Sequence, residues 1–293
     1  MLKRVEAGVL SVAYEEAGTT TGTPVLLLHG FPYDPRAYDD VVPLLADAGC
    51  RVLVPYLRGY GPTRFLSDAT PRSGQQAVLG HDLLALMDAL GIERGVVAGY
   101  DWGGRAACIV AALWPERVRG LVSGGGYNIQ DIAGALKPQT PERELALWYQ
   151  YYFHSERGRA GLEAHRYELG KLLWRLWSPS WRFDEAAYAR TAASFENPDF
   201  VAVVIHSYRH RFALVPGDPT VEDTERRLAT LPPITVPTIT LHGSDNGVSP
   251  VASSEHHTRH FTGGYERRVV PGVGHNLPQE APREFAAAVL SLV

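Results

Sequence analysis

From residue 24 to residue 122 the chain sets short apolar runs between longer segments of helical spacing, and that alternation restricts it to a sheet of mostly parallel strands. Pro24-Val25-Leu26-Leu27-Leu28 is apolar at every position, as a strand covered on both faces must be. Arg51 to Pro55, Gly95 to Ala98 and Gly120 to Val122 continue the series, while Leu10 to Tyr14 alternates like an early antiparallel strand. Between them, Gln75 to Leu90 places Val78, Leu83, Leu84, Leu86, Met87 and Leu90 at helical intervals, and Gly103 to Leu113 does the same. From Asn128 to Leu231 the rhythm gives way to a helical, aromatic and charged stretch. It resumes with Pro237 to Leu241, Arg268 to Val270 and a helix over Pro282 to Leu292, with Pro232, Pro233 and Pro237 marking the return. The expected architecture is α/β: a mostly parallel sheet with helices on both faces, built from 1–127 and 232–293, with a helical cap inserted at 128–231.

The whole-chain properties exclude several function classes. A charged fraction of 20% and a hydrophobic fraction of 45% describe a folded domain, and a net charge of −4 without a basic block gives nucleic acid no footing. No membrane-spanning run is visible, and the N-terminus lacks the apolar core of a secretory signal. Cys50 and Cys108 stand one before a strand and one inside a helix, which suits reduced core thiols and a cytoplasmic setting.

The most informative segment is Gly99-Tyr100-Asp101-Trp102-Gly103-Gly104, a strand end that runs straight into a helix with small residues around its central position. A nucleophile elbow needs this arrangement, because the reactive residue sits on a strained turn that neighbouring backbone approaches closely. The other reading is an aspartate that caps the following helix. Gly243-Ser244-Asp245-Asn246-Gly247 fits the same small-x-acid-x-small pattern but leads into Val248-Ser249-Pro250, not a glycine-led helix. Asp245 is therefore read as the orienting acid, and His275, on the loop Pro271-Gly272-Val273-Gly274-His275-Asn276, as the base that this acid holds in one tautomer. The other histidines have no motif around them, and His256 and His257, adjacent on a helix, do not make a metal site. His29-Gly30-Phe31-Pro32 follows the buried strand and supplies backbone: the N–H groups of Phe31 and Trp102 are the expected oxyanion donors, with His29 bracing the loop.

In combination, His29 to Pro32, Arg58-Gly59-Tyr60-Gly61, Gly99 to Gly104, Asp245 and Gly274-His275 resemble the epoxide hydrolase and dehalogenase branch of the α/β-hydrolase fold, over nearly the whole chain. The resemblance implies two cap tyrosines that hydrogen-bond an epoxide oxygen. Trp148-Tyr149-Gln150-Tyr151-Tyr152-Phe153 and Ser207-Tyr208-Arg209 are similar to the family's segments, with Tyr149 and Tyr208 in the donor positions and Tyr151 and Tyr152 as competitors of Tyr149. It further implies attack by Asp101 on a ring carbon, an alkyl-enzyme ester, hydrolysis by water activated at His275, and a vicinal diol. Neither metal nor organic cofactor enters this scheme. Phe31, Trp102 and Tyr152 are the expected substrate-contacting residues, and the aromatic cap suggests an apolar or aryl-bearing epoxide acted on by a monomer or homodimer. Two alternatives stay open: a haloalkane or haloacid dehalogenase using the same Asp101, with the Trp102 indole on the halide, and a catalytically silent small-molecule-binding protein of the same fold.

Overall fold

The computed structural model describes residues 2–293. Its centre is a nine-stranded sheet of β1 (Leu2–Ala7), β2 (Leu10–Gly18), β3 (Pro24–Leu28), β4 (Arg51–Pro55), β5 (Arg64–Phe65), β6 (Gly95–Tyr100), β7 (Val118–Gly124), β8 (Thr238–Gly243) and β9 (Tyr265–Val270). Across the sheet they lie in the order β1-β2-β4-β3-β6-β7-β8-β9, with β5 paired to β2. β1, β4 and β5 meet β2 antiparallel, and every pairing from β4 to β9 is parallel.

The helices of the first half are α1 (Val41–Asp47), α2 (Gln76–Ala89) and α3 (Asp101–Leu113). Six more fall between β7 and β8: α4 (Pro141–Ala146), α5 (Trp148–His154), α6 (Glu156–Trp177), α7 (Glu185–Ala192), α8 (Phe200–His210) and α9 (Glu222–Leu228). α10 (Leu277–Glu280) and α11 (Pro282–Leu290) close the chain. α2 packs with α3 and α1 with α11, two layers against the central strands, so β6 is buried at every residue and β3 at all but its first. No helix among the described residues is long and apolar enough to cross a membrane.

Two registers position the site. Leu28 pairs with Gly99 in parallel, so the loop after β3 and the turn after β6 leave the sheet side by side. Strand order also reverses here, with β4 on one side of β3 and β6 on the other, which opens a crevice beyond the strands' carboxyl ends. Likewise Gly243 pairs with Val270, which sets the loop after β8 beside the loop after β9. The inserted helices are tied down over this edge. The Trp174 indole donates to the Pro32 carbonyl at 2.8 Å, and the Trp177 carbonyl, at the end of α6, accepts from the Gly247 N–H (2.9 Å) and the His275 N–H (3.1 Å). Asp34 is buried between the layers, where it accepts from the hydroxyls of Thr191 (3.0 Å) and Ser194 (2.6 Å).

Two strands escape the sequence pattern. β1 is exposed at most of its positions and so carries no apolar alternation, and β5 is two residues long. α3 begins at Asp101 itself, two residues before the helical pattern starts.

Candidate active site

Asp101 sits at the junction of β6 and α3 with φ of +51°, a left-handed conformation that costs a non-glycine residue about 1 kcal/mol or more. The turn is held there by close backbone packing that tolerates no added carbon. A Cβ on Gly103 would stand 2.0 Å from the Leu28 carbonyl oxygen, and one on Gly30 would stand 2.4 Å from the Asp101 Cβ. Because the obstacle at Gly103 is backbone of β3, Gly103→Ala is expected to lower unfolding stability by about 2 kcal/mol or more, read as a lower urea midpoint with unchanged m-value.

That approach aims two donors at one oxygen. The Phe31 N–H reaches Asp101 Oδ1 at 2.9 Å and the Trp102 N–H reaches it at 2.7 Å. The loop bearing Phe31 is pinned by His29, whose Nε2 accepts from the Leu57 N–H (3.1 Å) while Nδ1 faces the Gly30 carbonyl (3.1 Å). Burial lowers the His29 pKa to about 4, so it remains a neutral brace. Burial also opposes ionisation of Asp101, but His275, Arg105 and the Phe31 N–H outweigh it and hold the carboxyl below the ordinary aspartate range. The result is a charged carboxylate with Oδ1 bound by backbone and Oδ2 directed at His275, whose Nε2 lies 3.7 Å away.

The far side of the imidazole differs from the sequence expectation. Asp245 does not reach His275: its carboxylate accepts from its neighbour Ser244 at 2.7 Å and stays at the surface, where Ser244 and Ser180 lower its pKa. The next residue takes the place, with Asn246 Nδ2 3.2 Å from His275 Nδ1. The reason is local. Backbone bonds from Asp245 N–H to the Val273 carbonyl (2.9 Å) and from Gly247 N–H to the Trp177 carbonyl (2.9 Å) fix the loop so that residue 246 turns inward. Residue type points to Asp245 in this loop, but one residue of register separates it from the position that faces the imidazole.

On the inserted helices, Tyr149 and Tyr208 are both buried with ring centroids 5.4 Å apart, and the Tyr149 hydroxyl accepts from Gln150 Nε2 at 2.9 Å. Burial raises the Tyr149 pKa to about 12 and the Tyr208 pKa well above the ordinary tyrosine range, with the Asp101 charge adding to both, so the two phenols keep their protons. Tyr151 and Tyr152 are elsewhere. The inward face of α5 consists of Tyr149, Gln150 and Phe153, which leaves Tyr151 exposed and turns Tyr152 toward α6, where its hydroxyl lies over Gly161. Tyr152 is thus not at the site, contrary to expectation. Phe31 is, at the centre of an aromatic wall with Trp102 (5.9 Å), Tyr208 (5.4 Å), Phe153 (6.1 Å), Phe200 (6.2 Å) and Trp177 (6.3 Å).

Three further groups are polar, inward and without partners. The Trp102 indole Nε1 is buried and unbonded. Arg105, four residues after Asp101 on α3, is buried with Nε and Nη1 unbonded, and Arg211 lies over the Tyr208 ring at 4.2 Å with Nε and Nη2 unbonded. Burial, and then repulsion from Arg211, lowers the Arg105 pKa to about 10. Helical spacing from Asp101 would have pointed to Arg105, whereas nothing in the sequence points to Arg211. Among the described residues no cluster of three or more His, Cys, Asp or Glu suits a metal ion. Chemically, the site offers a carboxylate, a buried pair of phenols on the inserted helices, and two N–H donors that would hold an oxyanion formed on the carboxyl carbon.

Known proteins share this organisation. A crystal structure of a candidate epoxide hydrolase from Klebsiella pneumoniae superposes with a TM-score of 0.97, at 49% identity, covering 99% of this chain and 96% of that one. Epoxide hydrolase B of Mycobacterium tuberculosis is 33% identical over 149 residues, 47% of this chain and 41% of its own length. Epoxide hydrolase 3 of Siraitia grosvenorii is 38% identical over 107 residues, 36% of this chain and 33% of its own. The matched region thus spans between a third and two fifths of these two curated relatives. The model of the alpha/beta hydrolase fold matches residues 23–282, and with that span, the sheet order and the elbow all in agreement, the chain belongs to the α/β-hydrolase fold family.

Proposed function

We propose that this protein hydrolyses an epoxide to a vicinal diol through an ester on Asp101, with residues 128–231 serving as the cap over the reacting atoms. Asp101 Oδ2 attacks a ring carbon, the carbon–oxygen bond opens, and the departing oxygen takes a proton from Tyr208 or Tyr149. Water then adds to the ester carbonyl with His275 receiving its proton, Oδ1 becomes the oxyanion between the Phe31 and Trp102 N–H groups, and collapse expels the diol. The proton left over returns to the tyrosine. The observation that carries this reading is the buried pair Tyr149 and Tyr208, with Tyr208 packed on Phe31 (5.4 Å) and Trp102 (6.1 Å), the two residues whose N–H groups hold Asp101 Oδ1. A carboxylate suits such carbon, since its alkyl ester is hydrolysable where a serine ether would not be. Two free, buried cysteines support a cytoplasmic setting.

Tyr208→Phe keeps the ring and removes the donor, so it is expected to slow alkylation by about 10- to 100-fold while Tyr149 carries the remainder. Quenched-flow measurement of ester formation checks this against substrate binding. The deciding experiment is incubation with a panel of epoxides, haloalkanes and haloacids, with diol and halide assayed.

A second reading has its own support. The unpartnered Trp102 indole suits a halide, and the unpaired guanidiniums of Arg105 and Arg211 suit a carboxylate on the same substrate. Halide release from a haloacid, with no diol from any epoxide, would favour that reading. Absence of turnover and of any covalent adduct with every compound would favour a binding protein.

A further inference from the structure

We infer that Asn246 holds His275 predominantly in the Nε2–H tautomer, whose Nε2 has no lone pair to receive the proton of the hydrolytic water, so that breakdown of the alkyl-enzyme, not its formation, limits turnover. The inference rests on the proposed ester mechanism for its kinetic half and on geometry alone for its tautomeric half.

The orientation of the Asn246 amide follows from its surroundings. Its Oδ1 accepts from two backbone donors of its own loop, the Val248 N–H at 3.0 Å and the Ser249 N–H at 2.9 Å. Rotating the amide would aim an NH₂ group at both of them, so the oxygen stays and the nitrogen faces His275. An amide nitrogen only donates, hence Nδ1 of the imidazole, 3.2 Å away, must accept. With a lone pair on Nδ1, the neutral ring carries its proton on Nε2, and that N–H points toward Asp101 Oδ2 at 3.7 Å. No carboxylate is available to reverse this. Among the described residues, Asp101 is the one acid within 4.0 Å of the ring nitrogens, and the nearby Asp245 is bonded to Ser244 at the surface.

The two half-reactions respond differently. Alkylation asks nothing of a basic Nε2: an N–H there keeps the Asp101 carboxylate ionised, and the Oδ2 lone pair does the work. Hydrolysis asks for a lone pair on Nε2 to receive the water proton. That form puts a proton on Nδ1 against the Asn246 NH₂, so the rate of ester breakdown is reduced by the small fraction of the competent tautomer. In serine proteases the same exchange of orienting aspartate for its amide leaves the geometry in place and lowers kcat by about 10⁴-fold through the wrong tautomer.

Asn246→Asp is the natural test because it is isosteric: one oxygen keeps the Val248 and Ser249 N–H bonds, and the other accepts from Nδ1–H. Nitrogen-15 NMR of the His275 imidazole in the unliganded protein is expected to show Nε2–H in the natural protein and Nδ1–H in Asn246→Asp. With an epoxide that alkylates Asp101, intact-mass measurement at steady state is expected to find the natural protein mostly as the adduct. Asn246→Asp should be mostly free, with adduct decay faster by about 10- to 100-fold and alkylation unchanged. An Nδ1–H signal in the natural protein overturns the inference, and so do equal decay rates in the two proteins. If no epoxide forms an adduct with either, the epoxide reading falls and the slow-breakdown half with it, while the NMR spectrum still decides the tautomer.

Discussion

Asp101→Asn is expected to lower diol formation by at least about 10⁴-fold, with no covalent adduct at any time, because it removes the oxygen that forms the new bond. Asparagine is the better probe than alanine here. It tolerates the left-handed conformation at φ of +51°, and its Oδ1 keeps the bonds from the Phe31 and Trp102 N–H groups. The fold should be retained, so thermal unfolding within a few degrees of the natural protein accompanies the loss. Retained turnover in Asp101→Asn, after hydrolysis of the amide back to aspartate has been ruled out by mass, would sink the nucleophile assignment.

His275→Ala is expected to separate the half-reactions. Alkylation should continue at a comparable rate, since Oδ2 attacks without a base, while decay of the ester falls by about 10- to 100-fold further below that of the natural protein, whose imidazole Asn246 already restrains. Mass spectrometry would then show one equivalent of adduct that outlasts removal of excess epoxide. A His275→Ala protein that gains no mass with a compound the natural protein converts would contradict the two-step scheme. The imidazole packs against Trp177 at 5.2 Å and Tyr33 at 6.1 Å, so its removal leaves a small aromatic-lined gap beside the site.

Most of what positions the site was legible in the sequence because it depends on period and order. The apolar runs from Pro24 to Val122 match β3, β4, β6 and β7, and the small-flanked Asp101 lies on the turn that its flanking residues predict. The donors Phe31 and Trp102 followed from chain order, and the structure places both N–H groups on Asp101 Oδ1. What was illegible depends on single-residue register or on packing. Whether 245 or 246 faces the base is fixed by backbone bonds to Val273 and Trp177, distant in sequence. The choice among Tyr149, Tyr151 and Tyr152 is fixed by which face α5 buries. Arg105 feels the charge of Arg211 only because the fold brings the residue after α8 toward α3, an approach no local pattern encodes.

The Trp177 carbonyl belongs to the inserted helices yet anchors the loops that carry Asn246 and His275. The inserted helices and the sheet's loops are therefore not interchangeable cassettes. A chimera that receives its lid from a homologue must import the last turn of α6 with a carbonyl in the same place, or the base loses a backbone anchor. A chimera is expected to keep the stability of its parents only when residues 174–178, 244–248 and 271–276 come from one of them, as thermal unfolding would show.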